Sequence, residues 1–154
     1  MLKASAKADA LAVRAKTKHP VLVEHLLLLH GHLSKGEDLG RVLLDMSLIT
    51  FWSMARLGEL TSDIGDAQSA IVKIYFAKTA TGGEVQRLLL TATNNILCPV
   101  RALIRRVSSG EAEDSLFGVN TLTVRKNLTK SYCTRRLQSA WRGIGLTNLA
   151  QASP

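Results

Sequence analysis

The sequence has few cysteines, few acidic side chains and no long unbroken apolar segment. Its two cysteines, Cys98 and Cys133, are far apart and show no CxxC or Cys/His spacing, so neither a disulfide framework nor a zinc site is indicated. The longest apolar helix candidate contains Asp45, Arg56 and Glu59, whose charges the centre of a bilayer would penalise. No N-terminal apolar segment precedes a cleavage site of small residues. We therefore expect no membrane partner, no metal and no cofactor, in a reducing nuclear or cytoplasmic location.

The charge balance is strongly basic. The 154 residues contain 20 Lys and Arg against 12 Asp and Glu, which gives a formal net charge of +8. Surface cations release condensed counterions when they bind phosphate, so nucleic acid is the leading partner class. On charge alone, membrane surfaces and acidic proteins are alternatives. Hydrophobic residues make up 46% of the chain, which is enough for one domain with a core.

The order of patterns predicts a basic segment followed by one domain. Residues 1–18 are rich in Ala and Lys and indicate a basic linker or frayed helix, either a solvated tail or a segment that follows DNA. In residues 19–154, one helix begins near Pro20 and ends before Gly36, and a longer one runs from Asp38 to Leu60.

A β-hairpin is predicted after these two helices. Residues 71–76 and 85–90 are rich in β-branched and large apolar side chains, and the double glycine between them suits a tight reversal. Two more helices follow, from Pro99 to Ser109 and from about Asn127 or Thr129 to Arg142. The prediction is a mainly helical α+β domain with a small antiparallel sheet inserted between the second and third helices.

The polar sides of the last two predicted helices are basic, and we assign DNA binding to them. The candidate residues are Arg101, Arg105, Arg106, Lys130, Arg135 and Arg136.

Three stretches, in this order, resemble the tyrosine recombinases, in particular the recombinase-derived proteins of fungal genomes. They are Phe-Trp-Ser-Met-Ala-Arg-Leu-Gly-Glu-Leu-Thr at 51–61, the lysine hairpin at 77–85, and later elements between 97 and 146. The resemblance covers roughly residues 19–148 and implies a partial DNA breaking-rejoining catalytic domain for DNA recombination or integration.

The resemblance also implies chemistry for three residues. The family cleaves one DNA strand through a 3′-phosphotyrosyl link without a metal. Arg56 would hold the nonbridging oxygens in its guanidinium fork, and Glu59 would orient that arginine. Lys78 would protonate the leaving 5′-oxygen as a general acid. Taken alone, however, Arg56 and Glu59 fit an intrahelical ion pair, and Lys78 fits an ordinary turn lysine.

The sequence departs from the family pattern after Gly145. The His-x-x-Arg box, the second arginine and the nucleophilic tyrosine are missing, because the last histidine is His32 and the chain ends at Pro154. Tyr75 and Tyr132 both precede the place of that box. We therefore expect a C-terminally truncated fragment that cannot cleave DNA alone.

Three hypotheses remain open at this stage. The first is a recombinase fragment that binds double-stranded DNA, and the second is a domesticated DNA- or protein-binding module without chemistry. The third is a helical interaction protein whose charge serves solubility. Truncation would expose apolar surface, so self-association is expected as well.

Overall fold

A computed structural model describes residues 19–54, 60–64, 68–74, 85–111 and 114–150. Within these ranges the helices are α1 (Val23–Leu33), α2 (Asp38–Ser53), α3 (Pro99–Ser108), α4 (Lys130–Gly143) and α5 (Thr147–Ala150). The strands are β1 (Leu60–Ile64), β2 (Ser69–Ile74), β3 (Gln86–Thr91), β4 (Gly118–Asn120) and β5 (Arg125–Asn127). The predicted class, α+β and mainly α, is confirmed, with a sheet between the second and third of these helices.

The main sheet has the strand order β1-β2-β3, and both pairings are antiparallel. The predicted hairpin is confirmed, because β2 and β3 pair from Ser69 with Thr91 to Ile74 with Gln86. Strand β1 lies where the sequence predicts no strand: Leu60 pairs with Ile74, and Ile64 pairs with Ala70. The segment 61–64 lacks the apolar alternation that predicts a strand, and its pairing is with β2.

Helix α2 ends earlier than predicted. The apolar pattern favours a helix to Leu60, but α2 stops at Ser53, where Met54 takes a left-handed conformation (φ 51°). A left-handed residue at this position ends a helix, and glycine usually occupies it. Methionine gives no such signal in a sequence. Met54 is also 87% exposed, so it lies outside the core although it falls within the apolar pattern that predicts the longer helix.

The core lies where α2 packs against α1, α3 and the sheet. It is made of aliphatic side chains on α1 and α2, one face of β2, and the apolar side of α3, with Cys133, Ala140 and Trp141 from α4 and Leu149 from α5. The start of α2 lies close to the end of α1: a Cβ on Gly40 would come within 2.8 Å of the Leu33 carbonyl oxygen. Gly40 is therefore required by close backbone packing.

Local capping explains where the later helices begin. Cys98 is the N-cap of α3, its sulfur accepts from the Arg101 N–H, and Pro99 occupies the first turn, which suits its missing N–H. Thr129 is the N-cap of α4, and its side chain accepts from the Tyr132 N–H. Both predicted helices are confirmed. The observed start of α4 lies one residue from Thr129, whereas Asn127, the earlier of the two predicted starts, belongs to β5.

Arg125 links the short hairpin of β4 and β5 to the end of α3, together with Asn120, whose Nδ2 donates to the Ser109 carbonyl at 3.1 Å. Arg125 donates from Nη1 to the Ser109 carbonyl at 2.7 Å and to Asn120 Oδ1 at 3.0 Å, and from Nη2 to the Ser115 carbonyl at 3.2 Å. Its Nε lies 3.4 Å from Asp114 Oδ2. The side chain is mostly buried, so Arg125 stabilises the fold at this place.

Candidate functional site

The three residues that the resemblance implies for catalysis, Arg56, Glu59 and Lys78, lie outside the described residues. Arg56 and Glu59 follow the end of α2 in the sequence, and Lys78 falls between β2 and β3. Their predicted roles therefore stay predictions. The DNA-binding candidates on α3 and α4 all lie within the described residues.

A buried ion cluster joins α2 to α3. Asp45 is only 1% exposed, and both Arg105 and Arg106 contact its carboxylate. Arg105 donates from Nε to Oδ1 at 3.1 Å and also from Nη2 to the same oxygen. Arg106 Nε lies 2.9 Å from Oδ2, as an ion contact whose angle does not meet hydrogen-bond geometry. A carboxylate buried this deeply requires such partners.

The two arginines of this cluster differ in exposure. The Arg105 side chain is 47% exposed, whereas that of Arg106 is 6% exposed. The prediction of an exposed basic side on α3 therefore holds for Arg101 and in part for Arg105, but Arg106 lies in the core. The spacing contained a signal for this, because Arg106 follows Ala102 and Leu103 by four and three residues and so shares their buried face.

A cleft of about 390 Å³ opens above the ion cluster, between α1, α2 and α3. Three guanidinium groups line it, those of Arg41, Arg101 and Arg105, and Asp45 is the only carboxylate in its lining. Its other walls come from His30, Ser34, Leu44, Asn95 and Ile96. The cationic character of the cleft comes from residues far apart in sequence, and neither Arg41 nor His30 had been given a role.

Helix α4 carries a second basic surface. Its 14 residues include four cations and no carboxylate, and no acidic residue occurs anywhere from 115 to 154. The exposed cations, with one contributed by β5, are Lys126, Lys130, Arg135, Arg136 and Arg142. None of them has an ion pair in the described part of the chain. We call these five residues the α4 basic surface.

The arrangement on α4 follows from helical spacing. Arg135 and Arg142 are seven residues apart, which places them on one side of the helix about 10 Å from each other. The opposite side contains Cys133 and Ala140, which are buried. The sequence therefore turns one side of α4 to the core and presents Arg135 and Arg142, on the opposite side, to solvent.

A second cleft, of about 450 Å³, lies between the β4–β5 hairpin and the start of α4. Lys126, Tyr132 and Arg135 line it together with apolar residues that include Leu39 and Leu128. It shares no lining residue with the cleft above Asp45. The predicted DNA-binding residues are thus divided: Arg101 and Arg105 line one cleft, and Arg135 lines the other.

The two cysteines have different environments. Burial raises the pKa of the Cys98 thiol, but the N–H groups of Arg101 and Thr93 donate to its sulfur and more than offset that effect, so the pKa is lowered. Burial raises the pKa of the Cys133 thiol. Both side chains are almost fully buried and neither forms a disulfide.

Three further findings concern metal ions, membrane spans and similar proteins. Among the described residues, no group of three or more His, Cys, Asp or Glu side chains is arranged to hold a metal ion. None of the described helices is long and apolar enough to cross a membrane. Comparison with protein-family models, curated proteins and solved structures finds no match.

Proposed function

We propose that this chain binds double-stranded DNA as a fragment of a tyrosine-recombinase-like protein and does not cleave DNA alone. The α4 basic surface is the observation that supports DNA binding. Its five cations are exposed, belong to one short part of the chain, and have no carboxylate within residues 115–154.

Exposed cations that form no ion pair are available to bind phosphate. An exposed arginine that already pairs with a carboxylate gains less from a phosphate, since the first pair must be broken. The α4 basic surface has no such pairs in the described structure. Each phosphate that it neutralises releases condensed counterions, so binding weakens as salt rises, with a slope of about −0.9 per neutralised phosphate on a log–log plot.

Fluorescence anisotropy of a labelled duplex, titrated over a series of salt concentrations, tests this binding. We expect the double variant Arg135→Ala/Arg142→Ala to bind more weakly and to reduce the magnitude of the salt slope by about 2, since each arginine neutralises one phosphate. The matched control is Lys35→Ala/Arg87→Ala, which removes the same charge from two exposed positions outside α4.

The comparison between the two double variants decides the location of the interface. An equal loss of affinity in both would mean that DNA responds to net charge alone, which contradicts a specific role for α4. Wild-type protein that gives no anisotropy change at low salt would contradict DNA binding altogether. In that case the interaction-protein hypothesis would replace it.

The recombinase part of the proposal is supported by the ordered motifs and by the sheet between α2 and α3. A fragment without the His-x-x-Arg box lacks the second arginine and the nucleophile, and members of a catalytic unit fail together. Supercoiled plasmid incubated with the chain should stay uncut. A nicked plasmid or a covalent protein–DNA adduct would contradict the predicted lack of cleavage.

Self-association is part of the same proposal. Leu22, just before α1, and Leu27 and Leu28, in its middle, are about half exposed, at 49%, 46% and 52%. Exposed apolar surface of this kind favours association. Sedimentation equilibrium should show a mass that increases with concentration, and a monomer at all concentrations would contradict it.

A further inference from the structure

The charges around Asp45 do not balance. One carboxylate contacts two guanidinium groups, Arg105 and Arg106, so this cluster has an excess of one positive charge. Arg106 is buried and depends on the carboxylate, because water does not reach enough of it to solvate its charge. The excess charge therefore lies on the side of Arg105, whose half-exposed side chain lines the cleft.

Two more guanidinium groups line the same cleft without a counter-charge. Arg41 precedes Asp45 by one helical turn on α2, and Arg101 precedes Arg105 by one turn on α3. Neither Arg41 nor Arg101 has an ion pair among the residues that the structure describes. Like charges four residues apart on a helix repel each other, as Arg101 and Arg105 do here. An anion in the cleft would remove this repulsion.

The geometry points to a phosphate group as the ligand of this cleft. A tetrahedral phosphate presents oxygens in several directions, so guanidinium groups from two helices can donate to it together. A carboxylate is planar, so its two oxygens suit one guanidinium fork better than groups that approach from two helices. The cleft also has the volume of a small-molecule site, and its arginines come from rigid helices that the Asp45 contact holds in place.

This site is separate from the α4 basic surface and does not rest on the recombinase resemblance. The phosphate has two sources, free phosphate in solution or a phosphodiester of the DNA in the proposed function. Residues of the α4 basic surface do not line the cleft, so each proposal has its own variants.

Isothermal titration calorimetry of the full chain with inorganic phosphate, at constant ionic strength, tests the site. We expect saturable binding in the wild type and binding weakened about tenfold or more in Arg101→Ala and in Arg41→Ala. Arg101→Lys keeps the charge but loses the planar fork, so its affinity should fall between those of the wild type and Arg101→Ala. The control Arg87→Ala removes an exposed arginine outside the cleft and should bind phosphate like the wild type.

Two results would overturn the inference: no saturable binding in the wild type, or equal binding in the wild type, Arg41→Ala and Arg101→Ala. Circular dichroism shows that each variant is folded before titration. The source is then read from the duplex titration with the cleft variants. Weaker duplex binding by Arg101→Ala, with phosphate competing, assigns a phosphodiester, and unchanged duplex binding with abolished phosphate binding assigns free phosphate. If wild-type protein binds phosphate but no duplex, the site stands and the proposed function fails.

Discussion

The buried carboxylate of Asp45 gives the sharpest test of the described packing. Asp45→Ala removes the charge that Arg106 contacts in the core, and no other carboxylate lines the cleft beside it. Arg106 cannot turn to solvent without opening the contact between α2 and α3, because its side chain is only 6% exposed. The variant therefore leaves a buried guanidinium without a counter-charge.

The expected cost follows from this burial. Removing one partner of a buried ion pair destabilises a protein by about 3–5 kcal/mol, against a total stability of about 5–15 kcal/mol for a domain. Arg105 adds little to this figure, because its side chain is 47% exposed and exposed ion pairs contribute about 0–1 kcal/mol. Arg106→Met should cost less than Asp45→Ala, since Arg105 still neutralises the carboxylate.

Urea denaturation, followed by circular dichroism, measures these free energies. The control Glu24→Gln removes an exposed carboxylate from α1 and should change stability by about 0.5 kcal/mol or less. The double variant Asp45→Ala/Arg106→Met should be more stable than Asp45→Ala alone, because no unpaired charge is left in the core. A destabilisation below about 1 kcal/mol in Asp45→Ala would refute the buried ion cluster.

Five other substitutions, in three sets, test separate parts of the fold. Gly31→Ala should raise the free energy of unfolding by about 0.5–1 kcal/mol, since nothing lies within 4 Å of the added Cβ, whereas Gly40→Ala should lower it because its Cβ would meet a main-chain oxygen at 2.8 Å. If urea denaturation showed that both substitutions change the free energy of unfolding in the same direction, this prediction would be contradicted. Arg125→Met should lower stability by at least about 2 kcal/mol and speed amide exchange in the β4–β5 hairpin, and unchanged exchange would contradict its role. The pKa of the Cys98 thiol is lowered, so the wild type should gain stability relative to Cys98→Ala as pH rises towards about 8.5. The pKa of the Cys133 thiol is raised, so above that pH the wild type should lose stability relative to Cys133→Ala. Urea denaturation at several pH values measures both effects. If the free energy of unfolding changed with pH in the same way in the wild type and in both variants, the two predictions would be contradicted.

Much of the fold was predictable because it depends on local patterns. Pro99 and Thr129 mark helix starts by a missing N–H and by a capping oxygen, and the structure begins α3 and α4 at or beside them. The strands of the β2–β3 hairpin consist largely of β-branched and large apolar residues, which favour extended structure. By contrast, the end of α2 depends on Met54 taking a left-handed conformation, which its residue type does not favour.

The ion cluster could be predicted only in part. Asp45 is the only charged residue between Arg41 and Arg56, and a carboxylate within an apolar helix requires a partner. Helical spacing also assigns Arg106 to the apolar side of α3. The two side chains are paired with each other by a tertiary contact across about 60 residues, and neither helix alone encodes that contact. The cleft above Asp45 depends on the same contact, so it could not be foreseen that Arg41 and His30 would line it.

The net charge of the chain is +8, and two of the described carboxylates are already held by arginines within the fold. Asp45 is enclosed in the core with its arginines, and Asp114 is held against Arg125 at the base of the β4–β5 hairpin. Carboxylates held in this way cannot neutralise Arg135 or Arg142 on the exposed side of α4. Among the described residues, the five cations of the α4 basic surface are thus left without a paired carboxylate, and a phosphate could supply the counter-charge. A solubility feature would need only scattered charge, with both signs interspersed, and it would give α4 no advantage over Lys35 and Arg87 in the duplex titration.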